Sequence, residues 1–503
     1  MKIITMHHIL GNKVLEYDVD DRGVIVDERE IDRTVNHKPN IADWVKEHMV
    51  FWYDMTKPVD VYTQNFNDWQ NYNPNSVSIT NNKIVVNGLI DNFRIASIGK
   101  ETESFSVFIE GLGDKNLVYR VKLDENSNQI TNIKLKDGEN VLPHSFATTV
   151  AFMGVSGVTD YIGLTITQLP SGQSVPTNEI LKTNPYLQDH SGNNRPLKLN
   201  NFLFAAMSGV GGYSLNAKSY HNRLSTLEGT FNDYSVVITA KVKDMLGLVW
   251  TENGTGEYTS VAVGKSFTRP AFTVTVEGMP DDLKWGLYED NTPVNKGNGT
   301  FEIPAYTYAN TTETVQNIFI GFTFNKHKFD NVNIKFTFQP LYPNSLVTDG
   351  VDDYGVVENL QQGVKVLFYT CNNFRLSQMM YDQRKIGYDN MQSSYFSIFT
   401  GANTIAYNAR NVDGKTYIDG VLNETTIVDN LLKKKTIITI VNGGANSERT
   451  GKPSFFSTYN NLGYFANLAF YNSIGFDSVP TKETDGFTEQ DLIDYVLKNI
   501  ITQ

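Results

Sequence analysis

SFSVFIEGLGDKNLVYRV, at residues 104–121, and AFTVTVEGMPDDLKWGLY, at residues 271–288, are two versions of one pattern. In both stretches apolar and polar residues alternate as far as a Glu-Gly pair, and a short polar turn then leads into another apolar run. Alternation with a period of two is typical of a β-strand that buries one face. The glutamates of the two pairs, Glu110 and Glu277, are 167 residues apart (277 minus 110), which indicates an internal repeat.

The similarity continues on both sides of this pattern. Upstream, SVSIT at residue 76 parallels SVVIT at residue 235, and IASIGK parallels SVAVGK. Downstream, DGENVLPHSF parallels GNGTFEIPAY, and LTITQLP parallels IKFTFQP. Each copy is a string of short alternating runs broken by Gly, Asn, Asp and Pro, which is typical of an antiparallel β-sandwich or jelly roll. The sequence therefore predicts two copies of one module, at residues 61–172 and 231–343.

The composition agrees with an all-β chain. Aromatic residues make up 12% and charged residues 19% of the sequence, a balance that favours strands over helices. A chain of 503 residues exceeds what one hydrophobic core usually supports, so several domains are expected. We predict tandem antiparallel sandwich or jelly-roll modules, a further sandwich described below, and few short helices.

Charge and cysteine content exclude several classes of protein. The net charge of -12 argues against a nucleic-acid partner, because phosphate binding needs clustered Lys and Arg. Cys371 is the only cysteine, so neither an intrachain disulfide nor a thiolate zinc site is expected. His7-His8 interrupts the apolar run of the first ten residues, and no stretch reaches the roughly 20 apolar residues of a membrane span. We expect no cofactor and no membrane association.

Two segments flank the second module. DHSGNNRPLKLNNFLFAAMSGVGGYS begins at Asp189, and LVTDGVDDYGVV occupies residues 346–357. Joined across the module, they resemble the opening of laminin-G-like, concanavalin A-like domains, where D-x-S-G-N and a Gly-rich turn precede a strand of the form L-x-x-D-G-x-D-D-Y. TYIDGVLNE resembles the Y-x-D-G hairpin of that family. The resemblance implies a lectin-type sandwich at 184–230 plus 344–503, into which the second module is inserted.

The combined wording N-P-Y-L-x-D-H-S-G-N, S-G-V-G-G-Y and D-G-V-D-D-Y also resembles virion structural proteins of phages that infect Bacteroides-type gut bacteria, including crAss-like phages. Such chains form head fibres, tail fibres or related appendages. The resemblance does not say which appendage this is, and we favour a head fibre over a tail fibre. It implies a homo-oligomer, a dimer or trimer, that assembles in the host cytoplasm and ends on the virion surface. Its expected partners are other virion proteins of the capsid or fibre, and host-surface glycans.

The stretch LVTDGVDDYGVV carries three carboxylates within five residues, and two interpretations stay open. In the first, Asp349-Gly350 forms the turn into a strand, while Asp352 and Asp353 cap backbone amides. In the second, Asp349 or Asp352 holds a calcium ion together with backbone carbonyls, because hard cations prefer oxygen ligands.

The segment RLSQMMYDQRKIGYDNMQ, at residues 375–392, has aromatic and charged residues in polar surroundings. Sugars are held by stacking on aromatic ring faces, with polar groups at the edges. We therefore predict a glycan-binding site from Tyr381, Arg384, Tyr388 and, in the next hairpin, Tyr407. The alternative is that these tyrosines are ordinary surface and core residues of the sandwich.

A catalytic function has little support in the sequence. Laminarinase-like enzymes carry carboxylates that alternate along one strand. The most similar pattern in this sequence is Glu28, Glu30 and Asp32, which lies outside the lectin-type region. Neither an H-E-x-x-H frame nor a G-x-S-x-G motif occurs. We expect a protein that is not an enzyme, with a virion-associated polysaccharide-degrading enzyme as the alternative. Two carboxylates in a cleft would favour the enzyme, and a concave face of Asn, Lys and Tyr would favour binding.

The first 60 residues form a predicted N-terminal attachment region. The stretch MVFWYD is too apolar for one strand face to bury unless both faces are covered. We predict that Phe51, Trp52 and Tyr53 contact the capsid, the tail or an identical subunit, where aromatic residues are enriched. The alternative is packing under the first module. Near the C-terminus, Thr488 is predicted to cap a helix whose apolar stripe lies against the sandwich or a neighbouring subunit.

Overall fold

The structure is a computed structural model of the chain. It describes the following residues: 4–10, 13–19, 25–32, 40–80, 82–213, 220–222, 228–231, 235–240, 243–244, 248–250, 260–261, 266–269, 271–287, 293–309, 316–317, 321–325, 328–329, 332–357, 360, 363–374, 378–384, 395–400, 405–407, 414–423, 434–442, 453–457 and 465–501. The described residues are mostly β-strands in antiparallel sheets, so the predicted all-β sandwich class is confirmed.

The N-terminal part contains a separate three-stranded sheet, one helix and one strand. In chain order these are β1 (Ile4–Leu10), β2 (Lys13–Val19), β3 (Ile25–Asp32), α1 (Ile41–His48) and β4 (Met49–Asp54). Asn40 begins α1, because its side chain accepts the backbone N–H of Asp43 at 3.0 Å and so satisfies a free donor of the first turn.

The first module follows as a two-sheet sandwich. Its strands are β5 (Val59–Val61), β6 (Gln70–Asn71), β7 (Val77–Thr80), β8 (Lys83–Val86), β9 (Arg94–Ile98), β10 (Phe105–Glu110), β11 (Val118–Val121), β12 (Thr131–Lys134), β13 (Gly138–Leu142), β14 (Val150–Met153), β15 (Thr165–Gln168) and β16 (Gly172–Ser174), with a 3-10 helix at Phe66–Asp68. One sheet has the order β13-β10-β15-β8-β7 and the other β12-β11-β14-β9-β6. Alternate side chains of both sheets fill a common apolar core that includes Val107, Tyr119 and Phe152.

The segment between the two modules contains α2 (Asn178–Thr183), β17 (Tyr186–Leu187), β18 (Leu197–Asn200) and β19 (Gly209–Val210). Its three strands belong to the larger sandwich described below. The strands of the second module are β20 (Tyr220–Asn222), β21 (Glu228–Phe231), β22 (Ser235–Ala240), β23 (Lys243–Asp244), β24 (Leu248–Trp250), β25 (Ser260–Val261), β26 (Ser266–Arg269), β27 (Phe272–Glu277), β28 (Trp285–Leu287), β29 (Gly299–Ile303), β30 (Tyr306–Ala309), β31 (Gln316–Asn317), β32 (Gly321–Phe324), β33 (Lys328–Phe329) and β34 (Val332–Phe338).

The two modules share one strand order. The sheets of the second module run β29-β27-β34-β22-β21 and β28-β32-β24-β20, which match the first module position by position apart from β12. The equivalence of the two Glu-Gly strands, β10 and β27, therefore holds in space. The parallel of SVSIT with SVVIT is wrong, because SVSIT lies in β7 whereas SVVIT lies in β22, the counterpart of β8. The parallel of IASIGK with SVAVGK is also wrong, since β9 corresponds to β24 and not to β25.

The glycine of the Glu-Gly pair explains why this turn recurs. Gly111 and Gly278 have φ values of +76° and +77°, a region that side chains disfavour. A Cβ atom would lie 2.3 Å from the carbonyl oxygen of Gly163 in the first module and 2.1 Å from that of Asn333 in the second. Only glycine lets the neighbouring backbone approach so closely.

The remaining chain completes a larger sandwich. Its strands are β35 (Leu346–Val347), β36 (Tyr354–Val357), β37 (Val366–Asn373), β38 (Gln378–Arg384), β39 (Tyr395–Thr400), β40 (Ile405–Tyr407), β41 (Gly414–Ile418), β42 (Val421–Leu422), β43 (Lys435–Asn442), β44 (Ser454–Phe455) and β45 (Leu468–Phe476), followed by α3 (Glu489–Val496) and a π-helical turn (Leu497–Ile501). One sheet runs β17-β18-β36-β44-β38-β39-β40 and the other β19-β35-β45-β37-β43-β41-β42, with β4 also paired to β45.

Strand β4 belongs to this large sandwich. Phe51 and Tyr53 are completely buried in its core, and their rings stack at 5.1 Å. Gly475 on β45 makes room for Phe51, since a Cβ there would lie 2.7 Å from the ring. The predicted assembly contact through Phe51 and Tyr53 is therefore wrong, and so is packing under the first module, because these rings fill the interior of the sandwich. Trp52 is half-buried.

The D-H-S-G-N motif holds β4 in place. Asp189 accepts the N–H of Trp52 at 3.0 Å, and the amide of Asn193 donates to the carbonyl of Met49 at 2.7 Å. The guanidinium of Arg195 donates to the carbonyl of Val50 at 3.0 Å. Each bond satisfies a backbone group of β4 that would otherwise face no partner.

Both modules are insertions into the large sandwich. The chain leaves β4 through β5 and returns through β16, which pair with each other. It leaves again at Gly211, whose N–H donates to the carbonyl of Ser345 at 2.8 Å, while the N–H of Tyr342 donates to the carbonyl of Gly211 at 2.8 Å. A domain tolerates an inserted module when the two ends of the module lie next to each other. The boundary predicted after residue 60 is therefore replaced by one between β4 and β5.

Two helices cover the outer face of the eight-stranded sheet. Trp44 of α1 and Leu492, Ile493 and Val496 of α3 are buried there against Phe368 and Phe476. Thr488 caps α3 as predicted, in a capping box with Asp491. Among the described residues, the helices are all too short or too polar to cross a membrane.

Candidate functional site

The aspartate-rich stretch between β35 and β36 forms a tight turn. Asp349 Oδ1 accepts the N–H of Val351 at 2.7 Å, and Gly350 has a φ of +75°. Asp353 is completely buried. Its carboxylate accepts the N–H of Asp349 and the hydroxyl of Ser208, each at 2.9 Å. Asp353 thus fastens this turn to Ser208, the residue directly before β19, and burial raises the pKa of its carboxyl to about 7.

The same residues define the candidate calcium site. One carboxylate oxygen from each of Asp349, Asp352 and Asp353 lies within 4.8 Å of the other two. Calcium takes six to eight oxygen ligands, and both oxygens of Asp353 already accept hydrogen bonds. The turn is accounted for by its own hydrogen bonds, and calcium binding by Asp349 and Asp352 stays a prediction.

Of the four residues predicted to bind glycans, Tyr381 is the one whose side chain the structure describes. Tyr381 is completely buried, and its ring meets Phe455 edge-on at 5.1 Å. It cannot offer a ring face to a sugar, so this part of the prediction is wrong. Arg384 ends β38 and Tyr407 ends β40 in the same sheet, where the structure describes their backbones only. Tyr388 lies outside the described residues.

A cleft of about 520 Å³ lies between the first module and the large sandwich. We call it the interdomain cleft. The module contributes the start of β5 and the turn between β7 and β8, and the sandwich contributes β17 and the loop that follows it. The lining residues are Val59, Asp60, Tyr62, Thr80, Asn82, Lys83, Asn184, Tyr186, Gln188, Asn194 and Pro196.

The interdomain cleft combines aromatic rings with amide groups. Tyr62 of the first module and Tyr186 of the large sandwich are both half-buried and line the cleft. The hydroxyl of Tyr62 is hydrogen-bonded to Asn82, and burial raises the pKa of this tyrosine, so the phenol stays neutral at physiological pH. The amide oxygen of Gln188 is buried without a hydrogen-bond partner. A buried unpaired acceptor in a cleft is a position where a ligand hydroxyl would be stabilised.

Carboxylates are scarce among the lining residues. Asp60 is the only acid that lines the described cleft, and it accepts a hydrogen bond from the amide of Gln173 at 3.0 Å. Glycoside hydrolysis commonly needs two carboxylates on opposite sides of the bond. This lining therefore suits the binding of a neutral polar ligand better than its cleavage.

Sequence reasoning did not identify this cleft. Its residues come from 59–83, at the start of the first module, and from 184–196, which follows that module. The two segments meet only because the module is an insertion. The one available signal was the richness of residues 184–194 in amides and tyrosine. No protein-family model matches the chain, and no curated protein sequence is similar enough to match it.

Proposed function

We propose that the protein is a structural component of a phage virion, an appendage of head-fibre or tail-fibre type, that binds host-surface glycans in the interdomain cleft. The virion part of the proposal rests on the motif resemblance described above. The binding part is carried by one observation, the pairing of Tyr62 and Tyr186 with amides of Asn82, Asn184 and Gln188 in one cleft. Rings that stack on sugar faces and amides that bond hydroxyls are what saccharide recognition needs.

The fold is suited to an appendage. Its modules are antiparallel sandwiches, and paired strands close the ends of the first module without a disulfide. The proposed assembly is a homo-oligomer that contacts other virion proteins. Labelled antibodies against the chain should decorate intact particles in electron micrographs, and unlabelled particles would contradict the virion assignment.

A glycan array with the full chain tests the binding site. We expect Tyr186→Ala to weaken binding of the recognised glycan by about tenfold or more, because a stacked aromatic contributes on the order of 1–3 kcal/mol. Tyr354→Ala is a matched control, since Tyr354 is also a half-buried tyrosine of the sandwich but does not line the cleft. Equal affinities of Tyr186→Ala and the unchanged chain would place the site elsewhere. Release of reducing ends from a bound polysaccharide would instead favour the enzyme.

A further inference from the structure

A second pocket, of about 400 Å³, lies on the first module away from the interdomain cleft. We call it the basic pocket. It is formed by β9, β11 and the loops after β11 and before β14. The lining residues are Arg94, Arg120, Lys122, Asn128, Ile130, Phe146, Ala147, Thr148 and Thr149.

The sheet beneath the pocket carries small residues at the centre of its outer face. Tyr119 and Phe152 are paired in register and point into the module core. Alternation then places their neighbours Arg120 and Ala151 on the outer face. Ala151 is paired with Ser97 on β9, and both are buried. Small residues at the centre of the face leave room between the longer side chains of Arg94 and Arg120.

The pocket is positively charged in a protein of net charge -12. Its lining contains three cations and lacks a carboxylate. Arg94 is held in place, since its guanidinium lies 5.0 Å from the ring centre of Tyr72 and donates to the tyrosine hydroxyl at 3.0 Å. Arg120 is half-buried, and within the described part of the chain its side chain has no ion pair.

The second module shows that the fold does not require Arg120. Trp285 and Phe324 are paired and buried in the positions of Tyr119 and Phe152. The residue after Trp285 is Gly286, so glycine stands where the first module carries Arg120. The same sheet therefore forms with and without the arginine, which points to a role for Arg120 other than folding.

We propose that the basic pocket binds an acidic sugar, a saccharide residue that carries a carboxylate, sulfate or phosphate group. A guanidinium matches the two oxygens of such groups with paired hydrogen bonds. Asn128 and Thr149 supply partners for hydroxyls, while Phe146 and the exposed Ile130 supply an apolar wall for the sugar ring. An extended basic track, as nucleic acids need, is absent from this pocket lining. The inference rests on the proposed function in that it adds a second, charge-selective glycan site.

The proposal is tested by measuring the binding of glycans to the full chain. The acidic set contains uronate, sialylated, sulfated and phosphorylated glycans, and matched neutral glycans are the comparison. We expect acidic glycans to bind, and the double variant Arg120→Ala/Lys122→Ala to lose at least about tenfold in affinity for them. Lys136→Ala removes an exposed charge from the same module outside the pocket and should leave this affinity unchanged. Thermal unfolding of all variants should coincide with that of the unchanged chain.

Other outcomes separate this inference from the proposed function. Binding of neutral glycans that depends on Tyr186, without any preference for acidic ones, would overturn the basic pocket and leave the interdomain cleft standing. If inorganic phosphate displaces a bound acidic glycan as effectively as a second acidic glycan does, the pocket is a simple anion site and the saccharide assignment is overturned. Loss of acidic-glycan binding in Arg120→Ala/Lys122→Ala with retained neutral binding would support both sites.

Discussion

Asp189 Oδ1 accepts the backbone N–H of Trp52 at 3.0 Å, although 137 residues separate the two. The same carboxylate accepts the N–H groups of Ser191 and Arg195 at 2.9 and 3.0 Å. One buried side chain therefore shapes the D-H-S-G-N loop and fixes it to the edge of β4. The motif is structural, because it closes the sandwich across the point where the first module is inserted.

Replacing this carboxylate should destabilise the sandwich. We expect Asp189→Ala to lower the free energy of unfolding by about 3 kcal/mol, since it leaves buried N–H groups without an acceptor. Asp91→Ala is the control, because Asp91 is exposed and its loss should change stability by less than about 0.5 kcal/mol. Urea unfolding followed by tryptophan fluorescence measures both, and equal midpoints for the two variants would contradict the role of Asp189.

The N-terminal part can be divided by truncation. A chain that starts at residue 40 keeps α1 and β4 and should fold. A chain that starts at residue 55 lacks Phe51 and Tyr53, whose loss should cost about 3–5 kcal/mol each, comparable to the total stability of a domain. Circular dichroism and gel filtration of the two truncated chains distinguish these outcomes. A folded, soluble chain without β4 would show that the large sandwich does not need this strand in order to fold.

The fold class and the repeat could be predicted from the sequence because both depend on local patterns. The alternating strand and the Glu-Gly pair that ends it can be recognised from a few consecutive residues, as at Gly111 and Gly278. The place of β4 could not be predicted, because its partner β45 lies more than 400 residues away by the register Met49↔Phe476. The exposure of Tyr381 was predicted wrongly because its sequence neighbours are polar. The ring is covered by Phe455, which comes from another strand.

A matched pair of glycines tests the recurrent turn. Gly111 and Gly113 both have positive φ, at +76° and +57°, so alanine carries a similar backbone penalty at each. A Cβ at Gly111 would lie 2.3 Å from the carbonyl oxygen of Gly163, while at Gly113 nothing lies within 4 Å. We expect Gly111→Ala to be less stable than Gly113→Ala by about 2 kcal/mol. Thermal unfolding measures the difference, and equal melting temperatures would show that the backbone relaxes.

The buried carboxyl of Asp353 should make stability depend on pH. Its pKa rises from 3.8 in the unfolded chain to about 7 in the folded protein, chiefly through burial. The folded state therefore binds the proton more tightly, so the contribution of this group to stability is greatest below pH 4 and falls as the pH rises to about 7. The loss amounts to on the order of 4 kcal/mol for this group.

Asp353→Asn should remove this pH dependence and keep the hydrogen bonds to Asp349 and Ser208. An asparagine can accept the N–H of Asp349 through its oxygen and donate to Ser208 through its nitrogen. We expect the free energy of unfolding of this variant to change less between pH 4 and pH 7 than that of the unchanged chain. Asp352→Asn serves as the control, since Asp352 is an exposed neighbour in the same turn. Parallel pH profiles for the unchanged chain and Asp353→Asn, from urea titrations at several pH values, would show that Asp353 is ionised in the folded protein throughout this range.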